Sequence, residues 1–208
     1  MVLEKVTAFV IRDGELGQEL LVFKHPTAGI QLPAGTVEPG ELPERTVLRE
    51  VLEETGLEAR VVRKIGIEER DTPAGTAYLR SHGLPVRFAP REDAIQPGEV
   101  LPRCRVDLGQ RQAGFVHVHY REFNLNQDPP LLLWEVQGWV PENEIATGTR
   151  RHFFELEPLQ ESPPAWDQLA DLGHTFHLFW ARIGQLPNLI GEQNDWLRWL
   201  TNIKSERE

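Results

Sequence analysis

The sequence predicts an α+β fold, a β-sheet built from successive runs of strands with helices laid against it. Three observations point there. Strand-like apolar runs follow one another instead of alternating with helices, as a parallel βαβ sheet would require. Residues 43–55 read as a helix that stops at Gly56, a residue that accepts the left-handed cap conformation. Residues 188–204 place Leu189, Gln193, Trp196, Leu197, Leu200 and Ile203 at helical spacing, so a C-terminal helix is expected.

The elements are justified in order. Residues 5–12 are rich in β-branched side chains and run into Asp13-Gly14, a turn pair. Residues 19–24 form a second apolar run, so the two predict an antiparallel pair with a short connection. Gln31-Leu32 is extended and leads into Pro33-Ala34-Gly35. Pro39-Gly40 marks a further turn, and Pro43 suits the first turn of the helix that follows. Residues 59–69 read as a strand. From 71 to 112 proline, glycine and arginine are dense and periodicity is weak, which predicts loops and short strands. Strand runs resume at 114–121, 131–140, 151–157 and 174–183. Length favours one domain over 1–208 that carries an insertion at about 71–140.

Composition narrows the function. Of the 208 residues, 40% are hydrophobic and 26% charged, the balance of a folded soluble chain. No apolar run approaches the roughly 20 residues a membrane span needs. Glu4 sits where a signal peptide would begin its apolar stretch, so an intracellular, cytoplasmic protein is expected. The lone cysteine, Cys104, cannot form an internal disulfide or a cysteine-based zinc site, and is expected to be buried and inert. A net charge of −10 argues against a nucleic-acid partner. An acidic protein still binds phosphates when divalent cations lie between the two sets of negative charge.

The helix at 43–55 carries the pattern of most interest. At about 100° per residue, Val47, Leu48, Val51 and Leu52 fall on one arc, and Glu50, Glu53 and Glu54 on another. Carboxylates three and four residues apart repel one another by a few tenths of a kcal/mol per pair. Water on a solvated face offsets that repulsion. So does a hard divalent cation such as Mg²⁺, which takes oxygen ligands and leaves positions for water and substrate phosphates.

The wider segment, Gly35 to Leu57, reads G-x5-E-x7-R-E-U-x-E-E-x-G-U, with U aliphatic and every position filled. A chance match at seven fixed positions is on the order of one in a million. The segment resembles the signature box of the Nudix hydrolase superfamily without a departure, which favours the cation. Residues 23–41 and 153–197 also resemble a bacterial subgroup of that superfamily whose substrate is unassigned.

The resemblance implies an α/β/α sandwich with a mixed β-sheet and a Mg²⁺-dependent hydrolase, with Mn²⁺ as an alternative metal. Its substrate would be a nucleoside diphosphate linked to another group, of the ADP-ribose, dinucleoside polyphosphate or nucleotide-sugar type. By position, Glu50 and Glu54 would be the main metal ligands. Glu53 would be a further ligand or a base for the attacking water, and the Gly35 carbonyl would join the metal shell. Arg49 would pair with Glu41 and orient the glutamates, and Gly35 and Gly56 are needed as backbone.

Outside the box, Lys24, His25 and Arg70 are candidates for substrate phosphate or ribose, as are Arg80 and Arg87. His117 and His119 share a strand face without a third metal ligand at recognisable spacing. His152, His174 and His177 are open as general bases, and Trp134 and Trp139 could stack on a base or fill the core. The insertion is expected to form a lid or the interface of a homodimer. Two alternatives remain. A non-hydrolytic sensing or regulatory domain of the same fold would be expected to carry a damaged box and a DNA-binding appendage. An isomerase on that fold would need Cys104.

Overall fold

The computed structural model describes residues 2–170 and 173–200. The chain divides into two compact units. One consists of Glu4–Glu68 and Arg151 onward, the other of Glu69–Arg150 with Val2 and Leu3. The strands in chain order are β1 (Val2–Gly14), β2 (Gly17–His25), β3 (Gly29–Gln31) and β4 (Ala34–Thr36), followed by helix α1 (Pro43–Thr55) and β5 (Ala59–Asp71). Then come β6 (Thr76–Leu79), β7 (Leu84–Arg87), β8 (Ile95–Leu101), β9 (Arg105–Gln112), β10 (Phe115–Asn124), β11 (Leu131–Pro141) and β12 (Ile145–Ala146). The chain ends with β13 (Gly148–Pro158), β14 (Ala165–Leu169), β15 (Thr175–Arg182) and the short helix α2 (Gln193–Trp196).

The box-bearing unit is built on a sheet in the order β14-β15-β2-β1-β13-β5, with β3 added to β2 and β4 to β1. β1 and β2 form the expected antiparallel pair, from Ile11↔Leu20 to Gly14↔Gly17. β13 runs beside β1 in the same direction, Thr7 meeting Arg151 and Phe9 meeting Phe153, so the sheet is mixed.

Side chains alternate across a strand, and that alternation sorts the core into two layers. Val6, Ala8 and Val10 of β1 join Leu21 and Phe23 of β2 and Phe154 and Leu156 of β13 on one face, under Val47 and Val51 of α1. Phe9, Ile11, Leu20, Val22 and Phe153 point the other way, against Leu189, Trp196 and Leu200. Helical segments thus cover both faces, which is the α/β/α sandwich.

The other unit holds a sheet in the order β12-β6-β9-β10-β11-β7-β8. Its centre is the β10–β11 hairpin, paired from Phe115↔Pro141 to Glu122↔Trp134 before a bulge. Val116, Val118, Val136 and Val140 face its own core with Leu79, Val86 and Leu101.

Residues 71–112 hold the short strands expected there, β6 to β9, all of them paired, and two other expectations need correction. Pro85 and Pro97-Gly98 hide β7 and β8, and the ladder between these strands absorbs Pro85 through a register shift. Within the described residues the expected C-terminal helix is interrupted, α2 stopping at Trp196 with turns at Leu197 and Arg198. Gly191 adopts φ 51 just before it, and i→i+3 bonds such as Leu197 N–H to Asn194 O replace helical ones. The spacing still marks what is buried, since Leu189, Trp196 and Leu200 lie in the core; Ile203 falls outside the described residues. Cys104 is half-buried, packed at the margin of its unit's core. No helix among the described residues is long and apolar enough to cross a membrane.

Candidate functional site

Helix α1 begins at Pro43, whose fixed φ and missing N–H suit a first turn. It ends at Gly56, left-handed at φ 72, whose N–H donates to the Leu52 carbonyl at 2.8 Å. Val47, Val51 and Thr55 bury one stripe. Leu52, expected on that stripe, is 48% exposed because it lies beyond the arc the sheet covers. Glu50 and Glu54 flank the buried stripe, and the strand before the helix approaches there.

That approach is close. β4 pairs with β1 through Lys5↔Thr36, Val6↔Gly35 and Thr7↔Ala34. A Cβ on Gly35 would lie 1.9 Å from the Glu50 carboxylate, so only glycine lets this carboxylate lie against the strand. The Ala34 N–H donates to Glu54 Oε2 at 2.9 Å. Glu54 is thereby tied to the backbone of β4, and Glu50 lies against it.

Arg49 organises the remainder. Its Nε and Nη2 donate to the two oxygens of Glu41 at 3.1 and 3.0 Å, a bidentate pair. Its Nη1 donates to Glu50 Oε1 at 2.9 Å and to Glu53 Oε2 at 3.0 Å. Hydrogen bonds from Arg49 hold the Glu41 carboxyl down to about 2. Those bonds, Glu41's above all, raise the guanidinium pKa in turn. Glu50 behaves oppositely. Burial pushes its carboxyl up to about 7, outweighing the pull of Arg49, with Glu53 and Glu41 adding repulsion. One guanidinium is too little positive charge for this buried carboxylate.

The donor set suits a hard divalent cation: carboxylate oxygens on one helix face, and two of them converging on the single Nη1 position of Arg49. In the geometry described, Glu54 is turned to Ala34 while Glu50 and Glu53 are turned to Arg49. Among the described residues no three His, Cys, Asp or Glu side chains are gathered closely enough to hold a metal ion.

The outlying candidates are placed as follows. Lys24 is exposed on β2, paired with His177 of β15. His25 Nδ1 accepts the N–H groups of Thr27 and Ala28, both at 3.1 Å, so it shapes the turn after β2. Its ring lies 5.0 Å from that of His174. Burial first, then His174, lowers its pKa to about 4. Arg70 belongs to the unit that does not carry the box. In that unit Arg87 is tied to Glu92 and Arg80 to the Asn143 carbonyl. There too His119 meets Glu135 at 3.3 Å, His117 stands edge-on to Trp139, and Trp134 packs against the core. His177 bonds Asp167 at 2.8 Å. His152 bonds Glu4, a residue the sequence does not single out because its partner is 148 positions away.

A family model described as the NUDIX domain matches residues 3–200. A Bacillus subtilis (strain 168) protein, provisionally named an 8-oxo-dGTP diphosphatase, is 46% identical over 63 residues. That match takes in 30% of this chain and 42% of the relative. A solved structure titled as a UDP-X diphosphatase aligns over all of this chain and 65% of its own, at 16% identity and a TM-score of 0.49. The chain therefore spans less than two thirds of either protein.

Proposed function

The chain belongs to the NUDIX family, and from that premise we propose that it is a Mg²⁺-dependent hydrolase of a diphosphate linkage in a nucleoside diphosphate joined to another group. The observation that carries this reading is the folded box itself. Gly35 lies beneath Glu50, and Glu50 and Glu53 converge on one nitrogen of Arg49. Burial leaves the Glu50 carboxylate poorly solvated, the electrostatic condition that a divalent cation relieves.

Glu50, Glu53 and Glu54 would hold the metal, with the Gly35 carbonyl beside them. When bound, the metal neutralises bridging phosphate charge and lowers the pKa of the attacking water. Glu41 anchors Arg49 at two points, and Arg49 keeps Glu50 and Glu53 directed to a common point. Ala34 N–H fixes Glu54 against β4. Such cations let a protein of net charge −10 hold a polyanion, and turnover without metal is expected to be negligible.

The test is a panel of nucleoside diphosphate derivatives incubated with Mg²⁺ or Mn²⁺, with phosphate-containing products resolved. Cleavage of one class supports the hydrolase and names its substrate. Binding without cleavage across the panel favours the sensing domain, a reading the engagement of Glu50 and Glu53 by Arg49 also fits.

A further inference from the structure

The β10–β11 hairpin ends in an arm. Residues 125–133 are all exposed, among them Leu125 at 45%, Leu131 at 49%, Leu132 at 43% and Leu133 at 46%. Asn124 pairs with Leu131, so Leu125 lies across the hairpin from the three consecutive leucines. On its other side β11 pairs with β7 at Trp139↔Arg87, near the far end of the strand. Among the described residues no further strand flanks Leu131–Leu133. The leucines are exposed because the arm has no neighbour there.

A single leucine at a surface is ordinary, but a contiguous apolar cluster marks a contact. Consecutive residues of an extended strand point to opposite faces. Leu131, opposite Asn124, and Leu132, opposite Phe123, therefore project to the two sides of the hairpin. A flat lipid surface covers one side, whereas a second arm laid along the first covers both. Residues 123–134 carry one charge, Asp128, on a chain of net charge −10. Two such chains repel, and charge-poor segments are where they approach at least cost. The four leucines present roughly 300 Å² of apolar surface per chain. A stable contact buries about 800 Å² per partner, so the leucines supply more than a third. The exposed Asn126, Gln127, Pro129 and Pro130 of the tip extend the same surface.

We propose that this arm is a homodimer contact, the β10–β11 tip of one chain packing against the same tip of a second copy across a two-fold axis. Such an axis places one patch on both sides, so the leucines meet their own counterparts and apolar surface faces apolar surface. Release of water from the leucines drives the association. The contact is independent of the hydrolase reading, since none of its residues belongs to the box.

The test is sedimentation equilibrium of the full chain across about 1–100 μM for the parent, Leu132→Glu and Leu125→Ser, with thermal unfolding as the folding control. The parent is expected to be dimeric at the upper end of that range. Leu132→Glu sets two carboxylates into the contact and is expected to weaken association about tenfold or more. Leu125→Ser removes apolar surface alone and is expected to weaken it less. A parent that stays monomeric overturns the proposal, and binding of that monomer to phosphatidylcholine vesicles would assign the arm to a membrane surface instead. A folded Leu132→Glu protein with the parent's dissociation constant also overturns it, because the interface then lies elsewhere. If the variants unfold, deuterium exchange on the parent decides. Slower exchange of the amides within 125–134 at high than at low concentration supports the contact, and equal rates overturn it.

Discussion

Gly35 and Glu50 meet so closely that a methyl group on the glycine would fall 1.9 Å from the carboxylate. The contact is with the end of a flexible side chain, so the fold can accommodate Gly35→Ala by letting Glu50 swing away. The variant is expected to lose less than about 1 kcal/mol of stability but about 10²-fold in turnover. Thermal unfolding and kcat measured on the same preparation check both halves.

Arg49 holds Glu41 with two parallel bonds that an ammonium cannot reproduce. Arg49→Lys should therefore behave unlike a conservative change. It should lower kcat/KM about tenfold or more, and a steady-state comparison with the parent tests this. The Glu41 carboxyl, held near 2 in the folded chain against 4.5 ordinarily, makes a contribution that is full above 4.5 and is lost as pH falls through about 2. Acid titration followed by circular dichroism should show Arg49→Lys losing that dependence in part.

His25 gives a slope of the same sign in a higher pH window. It stays neutral in the folded chain down to about 4, first through burial and then through His174, whereas unfolded it titrates near 6.5. Between those values the unfolded chain binds the extra proton, so stability falls as pH drops from 6.5 toward 4. Urea midpoints across that window should fall less steeply for His25→Gln. Identical slopes would remove His25 from the acid response.

Gln193 ties the C-terminal segment to the strand region before the box. Its side chain is 9% exposed and its Oε1 accepts the Leu32 N–H at 2.7 Å. Gln193→Ala leaves that buried N–H without an acceptor, at a cost of about 1–3 kcal/mol by urea denaturation.

Much of this was legible in the chain. Alternation in 5–12, 19–24 and 151–157 located the strands, and the helical spacing of Val47, Val51 and Glu50 separated the buried stripe from the carboxylates. What escaped depended on partners distant in sequence. β14 is five residues long with only half-buried or exposed side chains, and acquires its place by pairing with β15. β7 is short and interrupted by Pro85, and its strand identity comes from β8 and β11. At the site, spacing within one helix pointed to Glu50, Glu53 and Glu54. Nothing local marks Glu4 for His152 or Leu32 for Gln193, pairs 148 and 161 residues apart.

The central claim is that the box glutamates gather a divalent cation that in turn holds a diphosphate. Its most direct test is product release by the parent and by Glu53→Gln as Mg²⁺ is titrated from a chelated baseline. The account predicts product only with metal, and a fall of about 10²-fold or more in the folded variant. Equal rates with and without Mg²⁺, or a folded Glu53→Gln protein that turns over like the parent, would contradict it.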